Sequence, residues 1–126
     1  GPLFEKGHWL APSVLSVKDN ASAIMQDEVF GPVAPLLSVD GFDQAISLAN
    51  ESAFGLSAYL WTAKASRILQ ANRSLKAGEL YVNRTNGEQV QGFHTGWGMS
   101  GIGGEDGTHG FEAYFKKQTT YLNLAI

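Results

Sequence analysis

Glu28 and Phe30 stand two residues apart in QDEVFGPVAPLLSVD (26–40), ahead of a Gly31-Pro32 turn and an apolar run. A carboxylate accepts hydrogen bonds from hydroxyl groups, and a neighbouring ring gives apolar contact. The pair therefore suits a ligand that is part sugar and part flat ring. On residue types alone, a polar turn with one buried ring is the favoured reading. His94 is the second candidate. It lies with Phe93 and Trp97 inside residues 84–107, which hold glycines at 87, 92, 96, 98, 101, 103, 104 and 107. So many permissive positions predict a long loop threading close to something.

Other chemistries find less support. His8, His94 and His109 are scattered, without the clustered spacing of metal ligands, so no metal site is expected. In GIGGEDG (101–107) Gly101 and Gly103 fit a dinucleotide fingerprint, but Asp106 holds the third glycine position and no strand precedes it. Ser100 in GMSGI is not a nucleophile elbow and reads as a structural Ser at a turn. Glu105 and Asp106 read as solvated or helix-capping acids. There is no cysteine, which excludes disulfides, Cys-ligated metals and a thiol nucleophile supplied by this chain.

The elements that must position these residues follow from periodicity. WLAPSVLSV (9–17) predicts a strand with an irregular start at Pro12. APLLSV (34–39) is apolar on both faces and predicts a strand covered on both sides, as in parallel sheets. Phe42, Ala45, Ile46 and Ala49 fall on one helical face. LSAYLWT (56–62) predicts a second core strand. Ala65, Ile68, Leu69 and Leu75 mark another helix, which Lys76 and Gly78 stop. ELYVN (79–83) predicts a third core strand, a short helix is expected over about 108–116, and KQTTYLNLA (117–125) alternates like an edge or pairing strand.

The expected fold class is α/β, with a parallel β-α-β-α-β sheet, then the glycine-rich loop, the short helix and the tail strand. At 126 residues one domain is expected; 44% apolar and 17% charged residues are globular values. A net charge of −3 argues against nucleic acid, and no apolar run reaches a membrane span. The chain opens Gly1-Pro2 without Met, which suggests a protease-cleavage scar or an internal cut, and so a fragment.

Five stretches, in order and at characteristic separations, resemble the C-terminal portion of an aldehyde dehydrogenase. They are EVFGPVAPLL (28–37), AISLAN (45–50), FGLSAYLWT (54–62), LKAGELYVN (75–83) and SGIGGEDGTHGFEAY (100–114). The first resembles that family's E-x-F-G-P signature. QGFHTGW (91–97) resembles the lactaldehyde and glycolaldehyde dehydrogenase branch. The resemblance implies oxidation of small aldehydes to acids with NAD or NADP: a Cys attacks the aldehyde, hydride passes to the coenzyme, and a Glu-activated water releases the acid. It implies that Glu28 binds the nicotinamide ribose hydroxyls, with Phe30 beside the nicotinamide. Asn83 would be a structural anchor for the loop. It implies that the loop lines the aldehyde entrance and that His94, Phe93 and Gly87 contact substrate. Gly87 stands where that branch tends to carry an aromatic, implying a wider pocket, and Gly98 where a basic residue is common.

No catalytic residue is assigned, because the family's Cys and base lie upstream of E-x-F-G-P. The isolated piece is expected to be inactive and to hold no coenzyme tightly. The resemblance divides the chain into a lead-in (1–7), the C-terminal half of the catalytic domain (8–99), a return segment with a helix (100–116) and an oligomerisation strand (117–126). It implies a cytoplasmic homo-oligomer that pairs through residues 117–124 and contacts neither nucleic acid nor membrane. Two alternatives differ in class: a complete, non-catalytic association module, and a stand-alone nucleotide binder.

Overall fold

The computed structural model describes residues 5–85 and 87–125. The expectation of a lead-in therefore falls partly outside the described residues. The chain divides into two compact units, one ending at Ser52 and the other starting at Ala53.

In the first unit, β1 (Ser13–Val17) runs parallel to β2 (Val33–Leu37), with Ser13 opposite Val33 and Val17 opposite Leu37. β1 begins only after Pro12, which has no N–H to give a ladder, so the expected start at residue 9 is four residues early. The crossover holds a short helix, α1 (Ala23–Gln26), absent from the sequence reading. Asp19 starts it: its carboxylate accepts the Ala21 N–H at 2.9 Å, and its carbonyl accepts the Ser22 hydroxyl at 2.7 Å.

α2 (Phe42–Ala49) buries Ile46. Gln44 accepts the Asp40 N–H at its start. At its end, the Asn20 amide donates to Leu48 O and to the Glu51 carboxylate, so a terminal carbonyl gains a partner. Of the expected face, Ala49 is exposed and Leu48 is half-buried in its place. The two-sided burial expected of β2 is not met. Val33, Pro35 and Leu37 turn inward, while Leu36 and, across the ladder, Val14 are 58% and 68% exposed. One face of this ladder is uncovered among the described residues.

In the second unit, β4 (Ser57–Leu60) and β5 (Glu79–Val82) form another parallel pair, Ser57 opposite Glu79. α3 (Ala65–Ser74) is the crossover. Its inner row is Ile68, Ala71 and Leu75, with Ala71 fully buried, whereas Leu69 is 56% exposed. The helical period is as expected but its phase is shifted, because a small residue marks the closest approach to the sheet. Tyr59 and Tyr81 are cross-strand partners with stacked rings, centroids 5.0 Å apart.

The fold is mixed α/β, but the three expected core strands do not form one ladder. Among the described residues every sheet has two strands, and the parallel pairs are β1 with β2 and β4 with β5. Nor is the glycine-rich stretch a plain loop. β3 (Phe54–Gly55) pairs antiparallel with β7 (Trp97–Gly98), and β6 (His94–Thr95) with β8 (Gly104–Glu105). Two-residue ladders leave no periodicity to detect. α4 (Gly107–Glu112) ends four residues before the expected Lys116, in tight turns through Phe115. Residues 116–125 carry no ladder and are exposed, so the expected tail strand is absent within this chain. A strand exists only against a partner, and the described residues offer it none.

Candidate functional site

Glu79 and Tyr81 lie two residues apart on β5 and so share one face. The Tyr81 hydroxyl donates to Oε2 of Glu79 at 3.0 Å and approaches Glu88 Oε1 at 3.4 Å. Nδ1 of His94 lies 3.0 Å from the same Glu79 oxygen. That nitrogen is buried, and its N–H is not aimed well enough for a formed hydrogen bond, so the contact is an ion pair by proximity. The Arg84 guanidinium sits 5.9 Å from the centre of the Tyr81 ring and donates to Gly87 O at 2.7 Å.

Absent side chains make this approach feasible. A Cβ on Gly78 would collide with the Thr95 carbonyl, and one on Gly104 with the His94 carbonyl. Gly78 precedes Glu79 and Thr95 follows His94, so the bare backbone at 78 brings the acid and the imidazole together. The Thr95 hydroxyl donates to Gly103 O at 2.8 Å and fastens β6 from its other side.

The electrostatics follow from this packing. Burial, then the bond to Glu79 and its charge, push the Tyr81 hydroxyl up to about 12. Tyr81 is thus a neutral donor at any physiological pH. His94 is raised above its ordinary 6.5 by its short contact with Glu79 and by that carboxylate's charge. Partial burial opposes the shift, while Glu88 and Glu105 add to it.

Glu79, Glu88 and His94 each offer a ligand atom within 4.8 Å of one another, a cluster the sequence reading did not foresee. Such a set could hold a cation by distance. However, Glu79 already accepts from Tyr81 and lies against His94, so its charge is met within the cluster.

The expected substrate residues His94 and Phe93 adjoin this cluster, and Gly87 is tied to it through Arg84. Phe93 packs tilted against His109, ring centroids 5.3 Å apart. Glu28 and Phe30 lie in the first unit, where Gly31 N–H bonds to Val29 O and turns the chain into β2. The buried ring favoured on residue types is overturned: Phe30 is 94% exposed, its backbone held in this turn. Glu28 is exposed as well. An exposed carboxylate that accepts from hydroxyls, beside an uncovered ring that offers apolar contact to a flat heterocycle, is the pairing such a ligand needs.

Ser100 is structural, since its hydroxyl oxygen accepts the Gly55 N–H at 2.9 Å. Asp106 stands at the N-cap of α4 but makes no side-chain cap. Sequence reasoning missed Glu79, Tyr81 and Glu88. The signal was present for the first two: an acid at i and a hydroxyl at i+2 in an otherwise apolar strand.

Known proteins resemble the chain in sequence and in fold. The chain is 44% identical, over its whole length, to 3,6-anhydro-alpha-L-galactose dehydrogenase of Streptomyces coelicolor, covering 26% of it. It is 44% identical over 117 residues to lactaldehyde dehydrogenase of Escherichia coli, covering 93% of this chain and 24% of that protein. A solved structure of 3,6-anhydro-L-galactose dehydrogenase in complex with NAP superposes with a TM-score of 0.89 at 47% identity, over 98% of this chain and 26% of that one. The chain thus spans about a quarter of the length of these relatives. Among the described residues, no helix is long and apolar enough to cross a membrane. The model of the aldehyde dehydrogenase family matches residues 1–120, and the chain belongs to that family.

Proposed function

We propose that this chain is the C-terminal part of an NAD(P)-dependent aldehyde dehydrogenase that oxidises small, hydroxyl-bearing aldehydes to carboxylic acids. The observation that carries the reading is His94, half-buried and held against Glu79 in a chain of this family. Lactaldehyde, D-glyceraldehyde and 3,6-anhydro-galactose, which the names of relatives give as substrates, all carry oxygen beside the aldehyde carbon. An imidazole is suited to contact such an oxygen; Phe93 and Gly87 complete that side.

Glu28 accepts hydrogen bonds from the nicotinamide ribose, and Phe30 lies beside the nicotinamide. The coenzyme, when bound, accepts hydride. Glu28→Gln in the longer enzyme is expected to raise the coenzyme KM roughly tenfold, the scale of one charged hydrogen bond, with the aldehyde KM little changed. Steady-state kinetics with each substrate varied in turn check this; an unchanged coenzyme KM removes Glu28 from the site. The isolated 126-residue chain, assayed alongside, yields no NADH, because it has no cysteine to attack the aldehyde. Aldehyde-dependent NADH formation by that chain overturns the reading.

A second role, association, is supported by the tail. Tyr121, Leu122 and Leu124 are 95%, 76% and 82% exposed, on residues that alternate as a strand does. In this reading residues 117–124 pair with a second copy. Deleting them is expected to lower the assembly's mass in light scattering; an unchanged mass sinks the idea. Where only association survives and no longer chain exists, the protein is a non-catalytic module of the same family.

A further inference from the structure

β5 puts Glu79 and Tyr81 on one face, and β6 sets His94 beside them. Oε2 of Glu79 takes the Tyr81 hydroxyl and the His94 Nδ1 contact at the same length, 3.0 Å. An unprotonated ring nitrogen 3.0 Å from a carboxylate oxygen would set two electron-rich atoms against each other, so Nδ1 carries a proton. Among the described residues Nε2 has no hydrogen-bond partner, and it is the ring atom left for a ligand.

The charged groups around the ring decide what Nε2 offers. Glu79 faces it from β5, Glu88 from the segment after β5, and Glu105 stands opposite it in the β6–β8 ladder. The Tyr81 hydroxyl is neutral, and the Arg84 guanidinium lies over the Tyr81 ring. Three carboxylates favour the doubly protonated ring, whose Nε2–H is a donor and not an acceptor.

We propose that Glu79, braced by Tyr81, is a positioning residue that presents His94 Nε2–H to an oxygen on the carbon next to the substrate's aldehyde. The proposal rests on the reading of His94 as a substrate contact and deepens it: the enzyme selects aldehydes with an accepting oxygen at that carbon, whether hydroxyl or ether. A donor so fixed rejects the analogue that lacks the oxygen.

The test uses the full-length dehydrogenase that carries this segment, with glycolaldehyde and acetaldehyde as paired substrates, from pH 6 to 9. In the native enzyme the glycolaldehyde KM rises as pH climbs through the raised value of His94, because the donor proton is then lost. Glu79→Gln is expected to raise the glycolaldehyde KM roughly tenfold at neutral pH. It should also move that rise to lower pH, while the acetaldehyde KM changes less than about twofold. The double variant with His94→Asn should be no worse than His94→Asn alone. If His94→Asn leaves the glycolaldehyde-to-acetaldehyde preference at its native value, the substrate role of His94 falls. If His94→Asn abolishes the preference but Glu79→Gln changes neither preference nor pH limb, the Glu79 proposal alone is overturned. Should Glu79→Gln fail to fold, Glu79→Asp decides: a downshifted limb supports the proposal and an unmoved limb refutes it.

Discussion

Gly78→Ala is expected to destabilise the protein by about 3 kcal/mol or more, at the severe end of overpacking. The added Cβ would overlap the Thr95 carbonyl oxygen and lie 2.7 Å from its carbonyl carbon and 3.1 Å from its Cγ2. Two of these atoms are backbone. They have no rotamer to escape into, so β5 and β6 must part. The separation carries Glu79 away from His94, so the variant loses the ion pair along with stability. Gly41→Ala is the matched control. Among the described residues nothing beyond its own chain neighbours lies within 4 Å of its would-be Cβ, and its φ of −174° is ordinary extended backbone. That change should stay within about 0.5 kcal/mol. Urea midpoints of the two variants against the parent settle the comparison. Equal midpoints for Gly78→Ala and Gly41→Ala would mean that the close approach at Thr95 carries no energy.

Asn83→Ala is expected to cost about 2 kcal/mol, from two sources. The Asn83 amide closes a two-way bridge to Thr62, accepting its N–H and donating to its carbonyl, both at 2.8 Å. The residue also sits at φ +53°, in the left-handed region that Asn tolerates and Ala does not. Asn83→Gly separates the terms, since glycine accepts the backbone angle but cannot make the bridge. It should recover about 1 kcal/mol of the deficit. Thermal melts of both variants read this out. Identical melts would show that the backbone angle contributes nothing and the bridge everything.

The parts of this fold legible from the sequence are those that repeat. β2, β4 and β5 announce themselves as short apolar runs, and α2 and α3 by period. What failed was phase and partner. Ala71 escaped notice because periodicity is read from large residues, while the tightest helix–sheet contact takes a small one. The single sheet inferred from strand order was replaced by separate parallel pairs, because pairing is long-range and alternation records only which way a side chain points. Of the cluster around Glu79, only His94 was singled out in the sequence, by its setting among glycines. Glu79 hid inside a strand that looked like core, and Glu88 in a polar run with nothing to mark it. Their meeting depends on Gly78 and Gly104 letting backbones touch, and no local pattern encodes which carbonyl a glycine will face.

The bond from the Gly55 N–H to the Ser100 hydroxyl joins residues 45 positions apart, about twice the separation of Ser57 and Glu79 in the β4–β5 ladder. Doubling a closed segment costs only about 0.6 kcal/mol of chain entropy. Chain entropy therefore sets almost no limit on the length of the segment between Asn83 and Ser100. What limits it is contact: Glu88 against the Tyr81 hydroxyl, and the Val90 carbonyl against the Gly107 N–H, tie its interior to the ladders that hold His94.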